Sequence, residues 1–103
     1  IGRAIEKFIK PFGYGIVRDL AGHGGGFDIH EDPIVPNYNP GEKMDKMFPG
    51  MVIAIEPMIV ISGNYRVVVG SNKWDVMAHD SSLTAHFEHT VAVTKDGYLI
   101  ITE

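Results

Sequence analysis

Four glycines fall within five positions in Ala21-Gly22-His23-Gly24-Gly25-Gly26. Glycine loses more conformational freedom on ordering than any other residue and brings no side chain to pack. The segment is therefore expected to form neither a stable helix nor a central strand. What it offers instead is a backbone that can turn sharply and lie very close to its neighbours. It also divides the chain, with a helical stripe and a short strand before it and a β-rich stretch after it.

In the first part Ile1, Ala4, Ile5, Phe8, Ile9 and Phe12 recur at spacings of three and four, the period of an amphipathic helix. Pro11 is expected to end it, with the exit turn in Gly13–Gly15. Tyr14 to Leu20 alternates apolar and polar residues as a strand does. Past the glycines, Pro33 and Pro36 make Ile29–Tyr38 extended and irregular, Asn39–Lys46 reads as a polar loop, and Pro49-Gly50 signals a turn. Met51–Ile61 is then a nearly continuous apolar run, broken only by Glu56-Pro57. Arg66–Val69, Trp74–Met77 and Thr84–Thr94 read as further strands, and Lys95-Asp96-Gly97 as a hairpin turn into Tyr98–Thr102. One helix beside a mainly antiparallel sheet makes the fold class α+β.

Composition narrows the function classes. The 103 residues amount to one domain, and 45% hydrophobic with 21% charged residues excludes wholesale disorder. The absence of cysteine excludes a disulfide scaffold, a thiolate zinc site and a cysteine nucleophile. Nine basic and thirteen acidic residues give a net charge of -4 with no basic block, which argues against nucleic acid or an anionic membrane as partner. No apolar run approaches the roughly 20 residues that span a bilayer.

Three positions are hard to explain by packing. Glu56 lies inside the apolar run and is expected in the middle of a strand and buried, where a carboxylate must be paired or protonated. An ion pair with Arg66, Lys73 or another base would satisfy it as well as a functional site would. Alternation along Thr84–Thr94 places His86, Glu88 and Thr90 on one face and Phe87, His89 and Val91 on the other. That pairing of histidine with carboxylate is either a solvated strand face or part of a site. His23 in its glycine cluster is either a surface loop residue or a ligand, and the lack of a following Lys-Ser or Lys-Thr rules out a phosphate loop. Two carboxylates on neighbouring strands repel unless a cation lies between them, and a divalent metal would also accept the His23 imidazole. Carboxylate and imidazole without sulfur suit manganese, iron, cobalt or zinc, so the residues point to metal-assisted hydrolysis.

Several motifs in register resemble a known family. Gly22-His23-Gly24-x-Gly26-x-x-x-His30-Glu31-x-Pro33, then Pro49-Gly50-Met51, Ile55-Glu56-Pro57 and Phe87-Glu88-His89-Thr90, look like the C-terminal half of a type I methionine aminopeptidase. Trp74 ahead of Asp80-Ser81-Ser82-Leu83 fits as well. Proline dipeptidases share the first motif but carry an Arg-x-Glu-Asp-like segment in place of Glu88-His89-Thr90, and the compact spacing disfavours the type II enzymes.

The resemblance implies the C-terminal half of a pita-bread fold, with residues 1–103 as a single partial domain. It implies His23 and Glu56 on one divalent ion, Glu88 bridging two, and cobalt, manganese, iron or zinc as the metal. Glu56 would also be general base, His30 would bind the scissile carbonyl, and Ile29 and Trp74 would line the methionine pocket. The implied substrates are nascent polypeptide N-termini, and the implied location is the cytoplasm. Two aspartate ligands and a second histidine would come from an N-terminal half.

The sequence begins at Ile1, inside the helical stripe, so an upstream half is expected, and a targeting segment there stays open. The chain alone is expected to be inactive and to bind one ion weakly. The alternative is a non-catalytic module that binds metal or pairs with a second copy. Departures from the family pattern are Gly25 for isoleucine or valine, Phe27 for arginine, and His86 for glutamine. His86 would serve either as an extra ligand or as a hydrogen-bond partner of one. His79 and His89 read as structural.

Overall fold

A computed structural model describes residues 1–102. Helix α1 (Gly2–Ile9) runs into a 3-10 turn at Lys10–Phe12. Ten short strands follow: β1 (Gly15–Ile16), β2 (Gly22–Gly25), β3 (Glu31–Val35), β4 (Val52–Ile55), β5 (Met58–Val60), β6 (Val67–Val69), β7 (Val76–Ala78), β8 (Thr84–His86), β9 (His89–Thr94) and β10 (Gly97–Ile100). Every pairing is antiparallel. The strands make a five-stranded sheet ordered β10-β9-β4-β2-β3, a three-stranded sheet ordered β1-β5-β8, and the β6-β7 pair. The architecture is α+β, with one helix beside antiparallel sheets.

The glycine cluster is the largest departure from expectation. Gly22–Gly25 is an interior strand, held between β3 and β4. A Cβ at Gly22 would lie 2.2 Å from the Ala54 carbonyl oxygen, and one at Gly24 2.0 Å from that of Asp32. Neighbouring backbone occupies the space that side chains would need, so the entropic cost of ordering glycine is offset by contacts no other residue permits. Pro33 is tolerated in β3 because that strand is a sheet edge and Pro33 falls at the irregularity where the β2–β3 register shifts.

The two longest expected strands each divide in the middle. Met51–Ile61 splits at Glu56-Pro57 into β4 of the five-stranded sheet and β5 of the three-stranded sheet. Thr84–Thr94 splits likewise at Phe87-Glu88 into β8 and β9. Pro57 has no N–H to continue a ladder, and its carbonyl accepts from the Phe87 N–H at 3.3 Å. The pairs Ile55–His89 and Met58–His86 flank this crossing. Glu56 is therefore at a corner between sheets rather than in mid-strand, with its side chain largely covered, and Glu88 is exposed at the matching corner.

Smaller differences have local causes. The helix gives way to the 3-10 turn around Pro11, and Gly13 then reverses the chain at φ +73°. Only Gly15–Ile16 of Tyr14–Leu20 forms a strand. The Asn72 Oδ1 accepts from the N–H groups of both Trp74 and Asp75, so β7 begins at Val76 rather than Trp74.

The core is small. Val17, Val60 and Ala78 form its buried centre, with Met58 and Val67 against it, and Ile53 and Ala54 are buried in β4. Helix α1 buries only Gly2, set against the carbonyls of Pro36 and Tyr38, while Phe8 and Phe12 stay exposed. The chain exposes 7608 Å², where a compact monomer of this mass exposes about 5,700 Å². Its radius of gyration is 14.4 Å against about 12.8 Å for a compact chain of this length. Phe87, Tyr98 and Leu99 add to the uncovered apolar surface. No helix among the described residues is long and apolar enough to cross a membrane.

Candidate metal centre

His23 stands second in β2, its side chain largely covered, with Nδ1 2.8 Å from the Gly24 carbonyl oxygen. A proton donated from Nδ1 to that carbonyl leaves the Nε2 lone pair free, which is the tautomer a metal ligand requires. Nε2 points at Glu56 Oε1, 3.4 Å away. The other oxygen of Glu56, Oε2, is 3.4 Å from Nε2 of His86. Behind Glu56, the fully buried Asn37 donates from Nδ2 to the Glu56 carbonyl at 3.1 Å. This bond pins the corner residue from the core side.

Ligand atoms of His23, Glu56 and Glu88 all lie within 4.8 Å of one another. Twice a metal–nitrogen or metal–oxygen distance is roughly 4 Å, so small side-chain rotations would bring the three onto one ion. The donor set is one imidazole and two carboxylates, as expected for a borderline-hard divalent metal. Among the described residues no lysine or arginine pairs with Glu56; the groups at its carboxylate oxygens are the imidazoles of His23 and His86. The alternative of an ion pair with Arg66 or Lys73 is not what the structure shows. The residues fit a divalent cation.

His30 lies just before β3, its ring centroid 4.2 Å from that of His23. Glu56 stands between two cavities, and His23 and His30 border both. One also holds Glu88, Thr90 and Ile29; the other also holds Trp74, Met58 and His86. Ile29 and Trp74 thus line different cavities. Both are strongly exposed.

His89 turns to the opposite face, with its ring against Phe87 and its Nδ1 meeting the Thr102 carbonyl. His79 contributes its backbone N–H to Arg66 in the β6–β7 pair. Asp80 lines neither cavity; its carboxyl is held at about 2 by the Ser62 hydroxyl, which donates at 2.6 Å, and by Ser82. Sequence reasoning did not single out Asn37, because its burial is created by the packing of distant segments.

The profile of metallopeptidase family M24 matches residues 1–95. A methionine aminopeptidase of Borreliella burgdorferi is 53% identical over 104 aligned residues, which cover all of this chain and 41% of that protein. Methionine aminopeptidase 1 of Bacillus subtilis is 42% identical over 99% of the chain and 41% of its own length. The crystal structure of the Rickettsia prowazekii methionine aminopeptidase superimposes with a TM-score of 0.92 at 40% identity, covering 99% of this chain and 41% of that one. The chain therefore spans about two fifths of the length of these relatives, corresponding to their C-terminal part.

Proposed function

The chain belongs to metallopeptidase family M24, and from that premise we propose that residues 1–103 form the C-terminal half of a catalytic domain that removes N-terminal methionine from proteins and peptides. The observation carrying this reading is the convergence of His23, Glu56 and Glu88 within 4.8 Å at the corner between two sheets. His23, Glu56 and Glu88 would hold the divalent metal, with His23 and Glu56 on one ion and Glu88 shared with a second, and cobalt, manganese, iron or zinc would match the donors. The chemistry supplied by such an ion is acidification of water and polarisation of a carbonyl.

The chain's own residues do the rest. Glu56 accepts the proton of the attacking water as general base, its backbone fixed at the corner by the Asn37 amide that donates to its carbonyl. His30, beside the His23 ring, donates a hydrogen bond to the scissile carbonyl and to the negative charge that develops on it. Ile29 and Trp74, each lining one of the two cavities that meet at Glu56, contact the side chain of the N-terminal methionine. The remaining metal ligands come from an N-terminal half that also covers the apolar surface left open here. Nascent polypeptide N-termini are the substrates, and the cytoplasm is the place of action.

The test is release of methionine from a Met-Ala-Ser peptide by a polypeptide joining this chain to the N-terminal half. Glu56→Gln is expected to lower the rate by about 100- to 10,000-fold. Release at the unmodified rate would refute the role of Glu56.

A further inference from the structure

The reading above leaves one side chain at Glu56 without a task. His86 closes β8, and its Nε2 lies 3.4 Å from Glu56 Oε2, matching the 3.4 Å from His23 Nε2 to Oε1. The carboxylate is thus approached from both sides. Backbone geometry fixes the approach: His86 pairs with Met58 in the β5–β8 ladder, and the next N–H, that of Phe87, donates to the Pro57 carbonyl at 3.3 Å. The His86 backbone cannot withdraw without breaking that corner. His86 is not among the donors that lie within 4.8 Å of one another, which are His23, Glu56 and Glu88. The geometry therefore disfavours it as a fourth ligand to the same ion.

We propose that His86 is a positioning residue for Glu56, donating from Nε2–H to Oε2 and so holding Oε1 toward His23. The inference rests on the reading of Glu56 as ligand and base. The terminal torsion of glutamate is broad and two-fold, so a carboxylate with a partner on one oxygen samples many orientations. A donor on the second oxygen selects one of them. Partners of this kind change metal affinity by about 10- to 100-fold when removed.

The experiment titrates cobalt(II) into the 103-residue chain and into His86→Leu, His86→Gln and Glu88→Gln, following affinity and the visible absorption bands, with unfolding midpoints to verify folding. Leucine removes the donor, whereas glutamine supplies an amide donor. His86→Leu is expected to weaken binding about tenfold or more, and His86→Gln to restore it to within about threefold with unchanged bands. Wild-type affinity in His86→Leu overturns the proposal. Equal losses in both variants with shifted bands also overturn it, by making His86 a ligand.

Unchanged binding in Glu88→Gln would instead sink the three-donor reading and leave His86 to the second measurement. That measurement needs no metal: long-range nitrogen–proton spectra of the imidazoles at pH 8. His86 is expected to hold the Nε2–H tautomer, and Glu56→Ala to release it to a mixture. An unchanged His86 signal in Glu56→Ala overturns the proposal.

Discussion

Replacing Gly24 with alanine tests the packing that delivers His23 to the site. The added Cβ would lie 2.0 Å from the Asp32 carbonyl oxygen and 2.6 Å from its carbon. Ordinary contact begins near 3.4 Å, so β3 must retreat by about 1.4 Å, more than a 2.7–3.2 Å ladder bond tolerates. Overpacking of this kind costs about 1–3 kcal/mol, and each ladder bond lost adds about 1 kcal/mol. Reduced freedom of the unfolded chain offsets about 0.4–1 kcal/mol. The net loss is about 2–3 kcal/mol, or a melting temperature lower by roughly 10–20 °C in a chain of this size.

Gly25→Ala is the internal control, because the nearest atom to its added Cβ is the Ile29 carbonyl oxygen at 3.7 Å. It should change stability by no more than about 1 kcal/mol. Urea unfolding followed by circular dichroism measures both variants. Equal midpoints for Gly24→Ala and Gly25→Ala would refute the argument that close backbone packing dictates the glycines of β2.

Three further outcomes follow from the same geometry. Asn37→Ala removes the donor to the Glu56 carbonyl from a fully buried site, and should cost about 1–3 kcal/mol in urea unfolding. Asp80 titrates at about 2 in the folded chain against 3.8 ordinarily. Its contribution to stability is thus complete above pH 3.8 and is lost as pH falls through 2. Ser62→Ala removes the largest cause, so carboxyl chemical shifts should show Asp80 titrating closer to 3.8. The uncovered apolar surface around Phe87, Tyr98 and Leu99 predicts self-association of the 103-residue chain at micromolar concentration; sedimentation as a strict monomer would contradict it.

The α+β class and most strand positions were legible because alternation and Asp-Gly turn chemistry are local signals. The sheet switches were not. Val52–Ile55 and Met58–Val60 read as one strand because periodicity does not report which sheet a strand joins. Only Pro57, with no N–H to give, marked the break. β2 was misread for a related reason. Glycine propensity argues against a strand, and the carbonyls of Ala54 and Asp32 that require glycine there come from distant segments.

At the site, His23, Glu56 and Glu88 were legible as chemically odd residues in otherwise apolar or glycine-rich surroundings. The alternation that set His86 and Glu88 apart from His89 agrees with their observed faces, His89 packing against Phe87. The place of the two carboxylates in the fold was not legible: Glu56, largely covered, and Glu88, exposed, both lie at corners rather than within a sheet.

Crystals of the chain soaked in manganese(II) and measured for anomalous scattering offer the most direct test of the metal centre. An ion within about 2.0–2.3 Å of His23 Nε2 and of oxygens from Glu56 and Glu88 is the expected result. An anomalous peak elsewhere, with no density among these three residues at saturating manganese, would contradict the assignment.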